Sequence, residues 1–221
     1  MCGRFALTLP QDAMANIFKA IPSNDLPVLP NYNVCPTTTI HVVTLENNVR
    51  RLKAMRWGFI PYWYKSVNGG PLLINARAET IAQKPAFKDA CRYRRCLIPC
   101  DGFYEWHRVE GKKSIPYRVT RSDGKLLVMA GIWQKWELTG ETITSCAIVT
   151  TNANHTMAKI HHRLPVILDS NDWPLWLGEL GKGAARLMKP VSDGSLSLVK
   201  IGDKINSNIA SGAELWQPQS I

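Results

Sequence analysis

The chain opens Met1-Cys2-Gly3-Arg4-Phe5, and removal of Met1 would leave Cys2 carrying a free α-amine and a thiol on adjacent carbons. A 1,2-aminothiol has one characteristic reaction. The amine condenses with an aldehyde to an imine, and the thiol then adds to the imine carbon and closes a five-membered thiazolidine. The α-amine, with an ordinary pKa of roughly 7.7–8.0, keeps a reactive neutral fraction near pH 7, whereas a lysine at roughly 10.4 needs strong desolvation first. A second-position cysteine is equally compatible with a small buried residue, so the reading depends on its surroundings.

Three other segments concentrate reactive side chains outside obvious core patterns. In Ile74-Asn75-Ala76-Arg77-Ala78-Glu79-Thr80, Asn75 and Arg77 are two apart and share one face of an extended segment, where an amide and a guanidinium suit phosphate or sugar oxygens. A solvated strand face fits the same pattern. In Cys100-Asp101-Gly102-Phe103-Tyr104-Glu105-Trp106, Glu105 lies between two aromatics, a setting that raises a carboxyl pKa and suits acid–base work. A surface glutamate is the plainer alternative. In Ile160-His161-His162-Arg163-Leu164-Pro165, His161 can exchange protons near neutral pH and Arg163 suits phosphate contact, although such a His pair is also compatible with a structural role.

These groups need a scaffold and a partner. With 45% hydrophobic and 20% charged residues in 221, the chain has the composition of an ordered globular protein able to enclose a sizeable core. No apolar stretch approaches the ~20 residues that cross a bilayer, and no secretory signal pattern opens the chain. An intracellular, cytoplasmic, soluble protein without a membrane partner is therefore expected. A formal charge of +10 and a pI near 9.5 favour polyanions, nucleic acid ahead of membrane. Aromatics interleave with cations in Arg56-Trp57-Gly58-Phe59-Ile60-Pro61-Tyr62-Trp63-Tyr64-Lys65, the mixture that single-stranded nucleic acid binders use. Trp57 and Phe59 read as packing residues there, and Trp63 and Tyr64 as candidates for contact. Cys91, Cys96 and Cys100 have neither paired Cys-x2-Cys spacing nor a fourth ligand, so buried thiols in strands are expected rather than metal.

A helix is expected from Pro10, with Met14, Ile17, Phe18 and Ile21 forming its apolar stripe. Thereafter strands dominate. Residues 40–45 and 52–59 read as a hairpin about Glu46-Asn47-Asn48, and residues 115–121 and 125–136 as another about Ser122-Asp123-Gly124. Strands are also expected at 72–74, 96–99, 103–108, 142–150, 164–168 and 196–201. Short helices are expected at 154–160, 171–177 and 182–188. Without linkers, repeats or regular strand–helix alternation, the chain reads as one β-rich α+β domain over residues 1–221. Hairpin-dominated, curved or barrel-like antiparallel sheets would carry a few peripheral helices.

The set Met1-Cys2-Gly3-Arg4-Phe5, Tyr32-Asn33, Arg56-Trp57-Gly58, Asn75-Ala76-Arg77-x-Glu79-Thr80, Asp101-Gly102-Phe103-Tyr104-Glu105-Trp106, His161-x-Arg163-x-Pro165 and Gly212-Ala213-Glu214-Leu215 resembles the SRAP family. These are abasic-site processing proteins first described as SOS-response-associated peptidases. The blocks follow the family order from residue 2 to about residue 215. The resemblance implies a DNA-damage protein that binds single-stranded DNA and joins the N-terminal cysteine to the opened aldehyde of an abasic site, without a cofactor or metal, as a monomer. It implies Cys2 as nucleophile, Asn75 as its orienting residue, Glu105 as acid–base group and His161 as the assistant in ring opening and imine proton transfer. Arg4, Arg77 and Arg163 match DNA-contacting positions, while Trp106 and the Trp63–Tyr64 pair offer stacking surface. A lyase activity, or a thiol peptidase using Cys2 and His161 that removes its own Met1, is a further implication, and non-covalent strand binding is an alternative. Leu164 stands where methionine is frequent and His162 where an acid is common. Chain length suits the compact bacterial type, for which a nucleoid location is expected.

Overall fold

Two sheets account for most of the chain in the computed structural model, which describes residues 2–219. In chain order, β1 (Arg4–Leu7) is followed by α1 (Gln11–Phe18), β2 (Ile21–Pro22), β3 (Asn31–Val34), β4 (Thr39–Glu46), β5 (Val49–Trp57) and β6 (Asn75–Arg77). Then come α2 (Lys88–Tyr93), β7 (Arg95–Cys100), β8 (Gly102–His107), β9 (Ile115–Arg121), β10 (Leu127–Leu138) and β11 (Glu141–Asn152). The chain finishes with α3 (His155–Ala158), β12 (Arg163–Pro165), α4 (Trp173–Leu177) and β13 (Leu196–Lys200), plus four short 3-10 turns. No helix among the described residues is long and apolar enough to cross a membrane.

The larger sheet runs β12-β11-β10-β7-β4-β5-β2 and curls until β5 pairs with β11 in parallel, through Ser145 opposite Arg56 and Cys146 opposite Trp57. The ring β11-β10-β7-β4-β5 is thereby closed. Closure removes the exposed edges that such long apolar strands would otherwise present. The smaller sheet runs β13-β9-β8-β1-β3. The expected β-rich, barrel-like α+β class is what the chain adopts.

Local chemistry explains the tight turns. Asn47 and Asn48 have φ of 50° and 61°, the left-handed pair that a two-residue β4–β5 hairpin requires and that asparagine tolerates well. Thr139 and Gly140, at 48° and 85°, do the same between β10 and β11. Only Asp101 separates β7 from β8, yet these strands lie in different sheets, so the chain steps from barrel to second sheet there. Along β8 the faces then divide. Phe103 joins the main core, whereas Tyr104 joins a smaller cluster with Ala6, Ile201, Ile205 and Leu215.

Several expectations are corrected. The Ser122-Asp123-Gly124 turn forms, but β9 pairs with β8 and β13 while β10 pairs with β7 and β11. It is a crossing between sheets, not a hairpin. The run from Leu127 to Ile132 is buried on both faces, which places β10 inside the barrel, whereas β9 is only half-buried. In α1, Met14 and Phe18 are buried, but Ile17 is exposed and Ile21 lies beyond the helix in β2. The strand expected at 72–74 begins at Asn75. Helix α2 carries no apolar stripe that would announce it, and half-buried Cys91 lies in that helix; Cys96 and Cys100 are buried in β7. The third short helix is a 3-10 turn, Ala184–Leu187.

His41 on β4 is 3% exposed, and its Nε2 has no hydrogen-bond partner among the described residues. Burial pulls its pKa from 6.5 to about 4. The folded state holds the ring neutral while the unfolded chain takes up a proton below pH 6.5. The neutral ring's stability contribution is therefore full above pH 6.5 and is lost as pH falls towards 4, about 3 kcal/mol in all. Urea midpoints measured from pH 7 to 4 should fall less steeply in His41→Leu than in the parent; equal slopes would contradict this.

Candidate functional site

A cleft of about 1040 Å³ opens where β8, β6, the residues before β1 and the segment between α3 and β12 converge. Its walls include Gly3, Asn75, Arg77, Glu105, Trp106 and His161. Strand pairing sets these positions. On the smaller sheet Arg4 pairs with Tyr104, so the residues just before β1 lie beside the end of β8 that bears Glu105. On the barrel side β6 runs parallel to β11, with Asn75 opposite Ile148 and Arg77 opposite Thr150. Alternation buries Ala76 and presents Asn75 and Arg77 on one face, as their spacing requires.

Cys2, Asn75, Glu105 and His161 come together here. Asn75 Nδ2 donates to the Cys2 carbonyl at 3.0 Å, tying the start of the chain to the barrel. Cys2 itself is 1% exposed, with its thiol directed to the Arg4 carbonyl at 3.9 Å. Burial, reinforced by the negative charge of Glu105, pushes that thiol well above the ordinary range, so it rests protonated at neutral pH. Glu105 is buried, and its Oε1 accepts the Trp106 amide at 3.2 Å. Its other oxygen lies 4.0 Å from His161 Nδ1. Burial holds the His161 pKa below its ordinary value, against the opposing pull of Glu105. Nδ1 accepts the Arg163 amide at 2.9 Å and lies 3.2 Å from the Arg163 carbonyl. The amide can donate to a bare Nδ1 and the carbonyl can accept from a protonated one, so this nitrogen has a backbone partner with or without its proton.

The cations expected to meet DNA divide into two kinds. Arg77 is exposed at the cleft wall. Arg4 also lines the cleft but is largely buried, and it donates to Asn33 Oδ1 at 2.8 Å, to the Ile205 carbonyl at 2.6 Å and to Asn208. Arg163 lies outside the cleft lining and is 6% exposed, engaged with Glu79, Asn152 and Thr150. Among the aromatics, Trp106 lines the cleft, its indole N–H on Asn206 Oδ1 at 2.7 Å and its ring 5.8 Å from the Arg4 guanidinium. Trp63 is exposed and Tyr64 half-buried, packed edge to face in a loop away from the cleft lining.

Sequence reading gave no role to Asn33, Asn206, Arg108 or Lys159. Asn33 couples Arg4 to the late segment by donating to the Ser207 and Ala210 carbonyls at 3.1 and 2.7 Å. Arg108 and Lys159 add charge to the rim. Their partners are remote in sequence, and the Tyr32-Asn33 pair was the one local signal. Among the described residues no group of His, Cys, Asp and Glu side chains is suited to hold a metal.

A protonated, buried thiol makes a testable statement. With iodoacetamide at pH 7, Cys35 and Cys91, both partly exposed, should be alkylated before Cys2, and Glu105→Gln should speed modification of Cys2 by removing the charge that opposes its thiolate. Peptide mass spectrometry checks the order, and a parent protein labelled first at Cys2 would contradict it.

The sequence profile described as SOS response associated peptidase (SRAP) matches residues 1–208. The abasic site processing protein YoqW of Bacillus subtilis (strain 168) is 35% identical over 222 residues, which cover 97% of this chain and 98% of that protein. YedK of Escherichia coli (strain K12), also named an abasic site processing protein, is 30% identical over 226 residues, 99% of this chain and 100% of its own. A crystal structure of a Bacteroides thetaiotaomicron protein superposes with a TM-score of 0.83 at 26% identity, covering 98% of this chain and 100% of that one. With a profile match over nearly its whole length and full-length relatives at 30% identity or more, the chain belongs to the SRAP family.

Proposed function

We propose that this protein captures abasic sites in single-stranded DNA by joining Cys2, once Met1 is removed, to the opened sugar as a thiazolidine. Met1 lies outside the described residues. The observation that supports the reading most is the hydrogen bond from Asn75 to the Cys2 carbonyl beside a buried Glu105 and a half-buried His161, an acid–base couple next to the one residue that offers an aminothiol. The names of the relatives, abasic site processing proteins, support the substrate.

The chemistry fits the groups. An abasic sugar is mostly a closed hemiacetal, and opening it needs a proton on the ring oxygen and a base on the anomeric hydroxyl. The Cys2 amine then attacks C1′, and the carbinolamine loses water to give the imine once a proton reaches its hydroxyl. The thiol adds to the imine carbon, its proton passing to nitrogen as the ring closes. Glu105 and His161 share these transfers, and Asn75 fixes the residue that supplies both nucleophiles. A thiol that rests protonated suits a sequence in which the amine attacks first. It counts against a thiol peptidase, which needs a thiolate paired with an imidazolium.

Arg77 with the rim cations Arg108 and Lys159 holds the phosphates, Arg4 braces the cleft wall from its bonds to Asn33 and Ile205, Trp106 offers a stacking face in the cleft, and Trp63 with Tyr64 meets bases farther along the strand. An intact nucleotide presents no aldehyde, so selectivity lies in the covalent step.

Mixed with an oligonucleotide carrying one abasic site, the parent protein should give a heat-stable band on a denaturing gel. Cys2→Ala should give none. Asn75→Ala, Glu105→Gln and His161→Ala should slow the band's appearance by roughly 10²–10⁴-fold, and Arg77→Ala should lower the salt slope of binding by about 0.7. No band from the parent protein, or an undiminished band from Cys2→Ala, would sink the reading; equal affinity for intact and abasic strands without a band would leave a non-covalent binder.

A further inference from the structure

The Arg163 side chain is 7% exposed. Its Nη1 donates to Glu79 Oε1 at 2.8 Å and Nη2 to Glu79 Oε2 at 2.9 Å, a two-pronged ion pair. The other two terminal N–H groups go to Asn152 Oδ1 and the Thr150 carbonyl, each at 2.8 Å, and Nε is buried without a partner among the described residues. These contacts occupy the terminal N–H groups of the guanidinium, so a phosphate would have to displace Glu79 to be bound. Arg163 opens β12, an edge strand of three residues that ends in Pro165 and pairs with β11 alone. So short a strand has few ladder bonds and needs a side-chain anchor. Its first amide is the group that bonds His161 Nδ1.

We propose that Glu79, acting through Arg163, is a positioning residue for His161: the ion pair fixes the strand whose amide sets the orientation and tautomer of the imidazole. The neutral ring then accepts at Nδ1 and carries its proton on Nε2. The catalytic consequence rests on the abasic-site reading above, but the positioning itself does not. The ring is further surrounded by Glu105 at 4.0 Å and His162 stacked at 4.4 Å, with Arg77 and Lys159 on the same cleft. The Arg163 carbonyl, 3.2 Å from Nδ1, belongs to the same anchored residue. The Arg163 hydrogen bonds also hold the Glu79 carboxyl below its usual range. The carboxylate thus stays charged throughout the neutral range.

The Glu79 side chain is 42% exposed, so Glu79→Gln should fold. Histidine ¹⁵N spectra of the parent protein should show His161 as the Nε2–H tautomer, titrating below its ordinary midpoint. In Glu79→Gln the ring should become a mixture of tautomers with a midpoint nearer the ordinary value, and Glu79→Asp, which keeps the carboxylate, should stay close to the parent. Glu79→Gln should also slow adduct formation at saturating abasic DNA by about tenfold to a hundredfold, with affinity for an intact oligonucleotide unchanged and no further loss in a His161→Ala background. A Glu79→Gln spectrum matching the parent, or losses that multiply with His161→Ala, would overturn the proposal. So would weaker binding of intact DNA with an unchanged saturated rate, which would make Arg163 a phosphate ligand. Failure of the parent protein to form any adduct would instead strike the abasic-site reading, and the imidazole spectra would still decide the positioning role.

Discussion

Everything at the cleft depends on the first few residues of the chain being an interior strand. Terminal segments usually fray because few contacts repay their conformational entropy. Here β1 is paired on both sides, with Phe5 opposite Phe103 of β8 and Val34 of β3. Phe5 also packs 5.2 Å from Trp57, which joins the second sheet to the barrel. Register along β1 and β8 therefore sets how far residue 2 lies from Glu105, and a slip by one residue would turn Arg4 and Phe5 to opposite faces. The Asn75 bond fastens the same segment from the barrel side. Cys2, next to the start of the strand, thus gains the placement of a residue in mid-strand.

Burial then governs the electrostatics. Cys2 and Glu105 are buried and His161 half-buried at the cleft wall, so each feels the others more strongly than in water. The carboxylate opposes a thiolate and favours an imidazolium, whereas desolvation opposes both charges. Desolvation is the larger influence on each group. The resting site consequently holds a neutral thiol and a neutral imidazole beside a carboxyl. That arrangement suits proton transfer around a carbonyl and protects the sulfur from reactions that need a thiolate.

Patterns that are local in sequence were legible, and those that depend on distant partners were not. The Asn47-Asn48 hairpin and the two-apart spacing of Asn75 and Arg77 act within a few residues, and the fold realises both. The turn at Ser122-Asp123-Gly124 was equally clear, but a turn does not dictate which strands pair across it. The fully buried run of β10 drew that strand into the barrel. Among the cations, sequence shows charge and not partner. Arg77 emerges at the cleft surface, while Arg4 and Arg163 turn inward to Asn33 and Glu79, residues far along the chain. The motif Asn75-Ala76-Arg77-x-Glu79-Thr80 contained Glu79, but nothing local linked it to His161.

The proposed bond between Cys2 and the opened sugar is the step that every other group at the cleft would serve. Intact-mass spectrometry of the protein with an abasic oligonucleotide, run with and without borohydride, reads that bond directly. The expected product weighs the Met1-free protein plus the oligonucleotide less one water, with the mass unaltered by borohydride, since a closed thiazolidine has no C=N bond to reduce. A product that gains hydrogen under borohydride, that maps to a lysine, or that fails to form would contradict it.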